Sequence, residues 1–276
     1  MLLALDVGNT NTVLALYNLE RTSPGDLVAN WRVTTQKTQT ADEFGVLILS
    51  LLGLHKIDPT AVTGVIISSV VPPLDSTLRR VSERYFKIKP LFVEPGIKLG
   101  MPLLIDNPAE LGADRAANGV AAFARYGGPC VVVDFGTATT FDVVSAKGEF
   151  LGGVIAPGLG ISADALFSRA ARLARVNIKK PAKAIGTNTV TNLQSGIFWG
   201  YIGLVDGILA RVLEELGGQA NVVATGGLAT LIADDSKYIT KVDHLLTLDG
   251  LRIIYQRNQA AKQNGPRVRR AKEVKA

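Results

Sequence analysis

The sequence predicts an α/β protein made of two duplicated halves that enclose a cleft. Three observations lead there. The stretch LALDVGNTNTVLAL at Leu3–Leu16 returns 128 positions later as VVVDFGTATTFDVV at Val131–Val144. In each copy an apolar run meets an Asp, a Gly and a cluster of small hydroxyl and amide residues before a second apolar run, the pattern of a tight hairpin between buried strands. From the first copy onward the elements read as βββαβα, and this order is echoed, imperfectly, from the second. Finally, 276 residues with 47% hydrophobic content can fill about two cores, on a prior of about 100–200 residues per domain. The duplication puts the junction near residues 115–120, which divides the chain into residues 1–117, 118–255 and a basic tail at 256–276.

In chain order, the polar, Pro-Gly-containing stretch Leu19–Asp26 reads as a surface turn and Asn30–Thr34 as a third strand. Thr40 and Glu43, three apart, form a capping-box pattern ahead of a helix over Phe44–Leu54. Val62–Val71 is a β-branched strand, stopped by Pro72-Pro73, and Leu74–Tyr85 is helical. A short strand at Leu91–Glu94 leads into a long loop over 95–110, and long loops often carry function. That loop closes on Gly112-Ala113-Asp114-Arg115, with Ala116–Tyr126 helical after it. Asp114 therefore lies near a helix start, where a carboxylate serves either as helix-cap chemistry or as a base. Beyond the second hairpin come a strand at Glu149–Ile155, a helix from Ser162 to about Arg175, a loop over Lys180–Thr191, a long apolar helix at Gln194–Leu216 and a strand at Asn221–Thr225. That last strand opens into Gly226-Gly227 and a further helix.

Charge and composition restrict the function classes. The net charge is +6, and from Gln256 onward Arg257, Lys262, Arg267, Arg269, Arg270, Lys272 and Lys275 face only Glu273, so the tail carries the whole excess. A neutral body offers no basic field for a polyanion, and nucleic-acid association is expected at most weakly through the tail, which is too polar to pack and is expected to be disordered. No run of about 18 uncharged apolar residues appears, and the N-terminus lacks the basic region of a signal peptide, so the expectation is a cytoplasmic protein without membrane association. Cys130, the sole cysteine, opens an apolar strand and reads as a buried thiol.

Several familiar strings carry no function. Asp134-Phe135-Gly136 lacks every other protein-kinase signature, and Gly158-Leu-Gly160 lies mid-chain without the acidic partner of a dinucleotide fingerprint. No Gly-Lys pair exists for a Walker A loop, and two histidines are too few for a zinc site of usual spacing. What remains is a pair of hairpins whose glycines, amides and hydroxyls can cradle phosphate, with Asp6 and Asp134 at the strand ends placed for a cation. Gly226-Gly227 could pack against a base.

Asp6-Val-Gly-Asn-Thr10, Gly112-Ala-Asp-Arg115, Asp134-Phe-Gly-Thr137, Gly152–Gly158 and Thr225-Gly-Gly227, in this order, resemble the type III pantothenate kinases over about residues 1–255. The resemblance implies two duplicated actin-like (ribonuclease H-like) domains enclosing a nucleotide cleft. It implies ATP-dependent phosphorylation of pantothenate to 4'-phosphopantothenate, the first step of coenzyme A biosynthesis, by a homodimer. Asp6, Val7, Gly8, Asn9, Thr10, Asn11, Thr12 and Val13 would hold ATP, with Thr137 assisting. Gly112, Ala113, Asp114, Arg115 and Thr189 would contact pantothenate, Asp114 as general base. Asp134 would bind a monovalent cation, K+ or NH4+, while Mg2+ accompanies ATP. One departure is Ile105, where the family usually has tyrosine. The alternatives are a non-catalytic actin-like regulatory protein using the basic tail on nucleic acid, and a kinase of another small hydroxylated metabolite.

Overall fold

The computed structural model describes residues 1–20, 26–170 and 173–263. Leu2–Val7 (β1) and Asn11–Tyr17 (β2) form the first hairpin, joined by Leu27–Thr34 (β3), Gly64–Ser69 (β4) and Leu91–Phe92 (β5) in a sheet of order β3-β2-β1-β4-β5. Cys130–Phe135 (β6) and Ala138–Val144 (β7) form the second hairpin. With Phe150–Pro157 (β8), Asn221–Gly226 (β9) and Lys241–Val242 (β10) they give the order β10-β9-β6-β7-β8. Read from its hairpin outward, the second sheet repeats the first strand for strand. In both, two antiparallel pairs lie on one side of the opening strand and parallel neighbours on the other.

The helices fill the layers around these sheets. Ala41–Leu54 (α1) starts on the expected capping box, with Thr40 accepting from the Glu43 N–H and Glu43 accepting in return, a device worth about 1 kcal/mol. Pro72–Val81 (α2) begins at the two prolines themselves, which occupy its first turn where a missing N–H costs nothing. Both pack on the outer face of the first sheet through Phe44, Ile48, Leu52, Leu74 and Leu78.

Ala113–Tyr126 (α3) lies between the sheets, so the boundary expected after residue 117 falls inside a helix that touches both. Leu159–Arg169 (α4) ends before the expected Arg175, part of which stretch lies outside the described residues. Thr189–Glu215 (α5) starts five residues earlier than Gln194 because Asn188 and Thr191 form a second capping box there. With Ala229–Ala233 (α6) it covers the outer face of the second sheet. The 95–110 segment is loop, as expected, apart from a single 3-10 turn at Pro108–Glu110 and a bridge from Leu103 to Phe150.

The main difference from the expectation is at the C-terminus. Leu246–Gln263 (α7) runs eight residues into the stretch expected to be a disordered tail. It packs against α3 and the first sheet, and Leu246, Leu248, Leu251, Ile254 and Tyr255 join Leu2, Ala4, Tyr17, Ile66, Val132 and Phe150 in one core shared by the two halves. Within the presumed tail, the Arg257 guanidinium bonds the Leu99 carbonyl, and the Asn258 amide donates to Lys98 O at 2.9 Å. These residues are therefore part of the fold. The tail beyond Gln263, and most of the Leu19–Asp26 turn, lie outside the described residues.

Candidate active site

The two hairpin turns meet. Thr10 Oγ1 and Thr137 Oγ1 lie 3.0 Å apart, so the duplicated loops face each other across the gap between the halves. In the first loop, Gly8 N–H is bonded to Asn11 O and Gly8 O accepts from Thr35 Oγ1 at 2.7 Å, which fixes the turn. Asn9 and Thr10 stand exposed at its tip. Strand alternation divides the rest: Asp6 and Val13 lie on the face toward the central layer, whereas Val7 and Thr12 are buried on the outer face, with Thr12 Oγ1 2.9 Å from Thr35 Oγ1. Any contact of Val7 or Thr12 with a ligand goes through backbone. Asn11 opens β2 half-buried.

Three carboxylates converge behind these loops. Asp6 ends β1 and accepts from Ser68 Oγ at 3.0 Å. Asp134 ends β6, and its Oδ2 accepts from Asn118 Nδ2 at 3.0 Å. Asp114 sits in the first turn of α3, where its Oδ1 accepts the N–H of Arg115 at 2.8 Å. Burial, then repulsion from Asp114 and Asp134, pushes Asp6 up to about 7, and burial together with Asp114 pushes Asp134 up to about 6. Asp114 is raised by burial, opposed by its backbone hydrogen bond and by Arg115. A carboxylate raised this way is a stronger base than a surface aspartate.

Gly112, Ala113 and Arg115 lie beside Asp114 as the motif requires. Arg115 Nε donates to Asp142 Oδ1 at 2.6 Å, and Asp142 is fully buried. Burial raises Asp142 and the guanidinium opposes it, so the pair fixes Arg115 on the wall formed by β7 and β8. Thr189 is elsewhere. It opens α5, exposed, and lines an apolar groove of about 400 Å³ with Leu166, Leu173, Leu193 and Ile197. Cys130 is buried and its thiol is pushed up to about 12, as a structural cysteine should be.

The surroundings of Asp134 suit a monovalent cation. Asn118 takes Oδ2 and leaves Oδ1 as a hard oxygen donor. Gly226, at φ +92°, leaves open the space beside it, since a Cβ there would come within 2.6 Å of Oδ1. Among the described residues no group of three or more His, Cys, Asp or Glu is placed to hold a metal. Further ligands would then be carbonyls, water or phosphate, which match the oxygen preference of such ions.

The structure adds residues that the motifs did not show. Thr247 Oγ1, at the start of α7, donates to Asn118 Oδ1 at 2.7 Å, which forces the amide NH2 of Asn118 toward Asp134. Asp142 aligns with Leu14 in the sequence repeat and with Ala15 by strand register, so in either reading it is a charge in an otherwise apolar strand that could have flagged the site. Arg32 lies on β3 close enough to lower both Asp6 and Asp134.

The raised carboxylates also fix a pH dependence. Asp6 titrates near 7 in the fold and near 3.8 when unfolded, so between those values the folded chain binds more protons. Stability from this group therefore falls as pH rises from about 4 to about 7. In the ligand-free protein, Asp6→Asn is expected to raise Tm by several degrees at pH 8 and by much less at pH 4.5, as followed by differential scanning fluorimetry. Equal shifts at both pH values would contradict the assignment.

The profile of the type III pantothenate kinase family matches residues 2–211. A type III pantothenate kinase of Koribacter versatilis is 64% identical over 265 residues, covering 94% of this chain and 97% of its own. That of Myxococcus xanthus is 55% identical, covering 95% and 100%. Among solved structures, the activator of 2-hydroxyisocaproyl-CoA dehydratase from Clostridium difficile with bound ADPNP superposes with TM-score 0.55 at 13% identity, covering 99% of both chains. A ROK family glucokinase from Streptomyces griseus with glucose and AMPPNP gives 0.53 at 11%, covering 94% and 99%. At these identities the structural likeness establishes the shared fold.

Proposed function

The chain belongs to the type III pantothenate kinase family, and from that premise we propose how its residues perform the reaction. The enzyme phosphorylates pantothenate with ATP in coenzyme A biosynthesis, and the same reading places it in the cytoplasm. The exposed turn at Asn9 and Thr10, with Thr137 opposite, holds the ATP phosphates through N–H and hydroxyl donors. Asp114 takes the proton of the primary hydroxyl of pantothenate. That oxygen bonds the γ-phosphorus, the bond to the β,γ-bridging oxygen breaks, and ADP leaves. Arg115, fixed by Asp142, offers its remaining donors to the carboxylate of pantothenate. Asp134 would hold K+ or NH4+, and Mg2+ would accompany ATP; these cations would supply positive charge that offsets negative charge on the transferring group.

The observation that carries this reading is the convergence of Asp6, Asp114 and Asp134 behind two phosphate-type loops that touch through Thr10 and Thr137. An ADP-release assay with ATP and Mg2+ tests it: product is expected only when pantothenate is added, and far more with K+ or NH4+ than without either. Folded protein that forms no product under any cation would overturn it.

We further propose that the enzyme works as a homodimer joined along α5. This helix buries Phe198, Tyr201, Ile202, Val205 and Leu209 against the second sheet. The helix is long and apolar, yet most of it is not buried within this chain. Gly196, Gly200 and Gly203 lie exposed, with open space where a Cβ would sit. A second α5 can approach closely along that seam and cover Ile197 and Leu204. The groove holding Thr189 flanks it, so the partner would complete the surroundings of Thr189. Light scattering is expected to give twice 29.3 kDa for the wild type and a single chain for Gly200→Glu. A monomeric, fully active wild type would refute the dimer.

A further inference from the structure

The register of the first sheet puts an arginine in line with Asp6. Asp6 lies directly opposite Val13, and Val13 directly opposite Arg32. Residues opposite one another in antiparallel strands share a face, so Asp6, Val13 and Arg32 form one row, with Arg32 about 10 Å from Asp6 at two strand spacings. The alternate residues of β3, Trp31 and Val33, pack into the outer core. Arg32 is exposed on the opposite face, toward the second half. Its Nη1 comes within 3.5 Å of where a Cβ on Gly227 would sit, so the side chain reaches from β3 to the turn that follows β9.

Two contrasts give this placement its meaning. The corresponding row of the second sheet runs Asp134, Thr140, Ile155, so the duplicated position carries an exposed isoleucine and only the first half supplies a guanidinium. Arg115, the other arginine near the carboxylates, is engaged by Asp142. Among the described residues no carboxylate forms an ion pair with Arg32. The convergence of Asp6, Asp114 and Asp134 repels a polyphosphate unless positive charge faces it. A planar fork of N–H donors matches phosphate oxygens, and guanidinium groups of this kind stabilise phosphoryl transfer in other enzymes.

Resting on the kinase assignment above, we propose that Arg32 is a catalytic residue whose guanidinium contacts the transferring phosphoryl group of ATP. The side chain makes no hydrogen bond to the described residues, so its replacement leaves the fold intact. Arg32→Gln is expected to lower turnover with pantothenate by about 100-fold. By titration calorimetry it should leave ADP affinity within about threefold and reduce the preference for AMPPNP over ADP by about tenfold. Arg32→Lys, which keeps the charge but loses the fork, should fall between Gln and wild type in both measurements. The contact is refuted if the nucleotide preference of Arg32→Gln is unchanged, and its catalytic role is refuted if turnover stays within threefold of wild type. A wild type that is silent with pantothenate would count against the acceptor assignment alone, because the comparison of AMPPNP with ADP still decides whether Arg32 meets the terminal phosphate.

Discussion

Asp114→Asn is expected to lower turnover with pantothenate by about 1,000-fold while AMPPNP affinity stays within a few-fold of wild type. Asparagine keeps the shape and still accepts the Arg115 N–H that Asp114 Oδ1 takes at 2.8 Å, so the start of α3 is preserved. What disappears is the basic oxygen. Removing this charge also relieves Asp6 and Asp134, both raised in part by Asp114, and the ligand-free variant should be at least as stable as wild type at pH 8. Loss of the base and loss of the cap thus predict opposite outcomes. If Asp114 serves only to cap α3, the variant retains activity within a few-fold; if it is the base, the variant is folded, binds nucleotide and is nearly inert. Single-turnover measurements alongside a thermal melt separate the two.

Gly250→Ala is expected to destabilise the protein by about 3 kcal/mol, a fall in Tm of roughly 6 °C or more. Gly250 lies on α7 where it crosses α3. A Cβ there would sit 2.0 Å from the Ala117 carbonyl oxygen and 2.5 Å from its carbonyl carbon. Both atoms belong to a helix backbone and cannot swing aside, so α3 and α7 must separate. Their separation loosens the core shared by the two sheets and pulls Thr247 away from Asn118, hence from Asp134. Gly53→Ala on α1, with open space at that position, is the matched control and should be neutral or stabilising by up to about 1 kcal/mol. Equal melting temperatures for the two variants would show that the helix crossing tolerates the methyl group. The same packing gives the outcome of truncation: ending the chain after Gln256 removes the contacts of Arg257 and Asn258 with the 98–99 loop, and is expected to lower Tm.

The fold was legible wherever its cause is local. Alternating and apolar runs on either side of Gly8 and Gly136 specify hairpins, Thr40 and Glu43 specify a helix start, and the repeat of one hairpin 128 residues on implies a repeated sheet. The carboxylates at the strand ends and at the head of α3 followed from the same motifs, since each sits within a few residues of the turn that positions it. The C-terminal helix was less visible. Leu248, Leu251 and Tyr255 are spaced as one helical face, but from Gln256 onward the segment is polar and basic. Its helical state depends on α3 and the first sheet, which lie more than 100 residues away in the chain.

By itself, then, the sequence determined the duplicated architecture, the loops, the family and the three aspartates, because short-range spacing and turn chemistry suffice to encode them. Tertiary structure alone decided which charges oppose which. Arg32 meets the row of Asp6 only through the register of β1, β2 and β3, Arg115 meets Asp142 only through the docking of α3 on β7, and Asn118 turns its amide to Asp134 only because Thr247 arrives from α7. Strand register and helix docking are settled by burial summed over the whole core. A side chain's electrostatic partner is therefore fixed only once that core has closed.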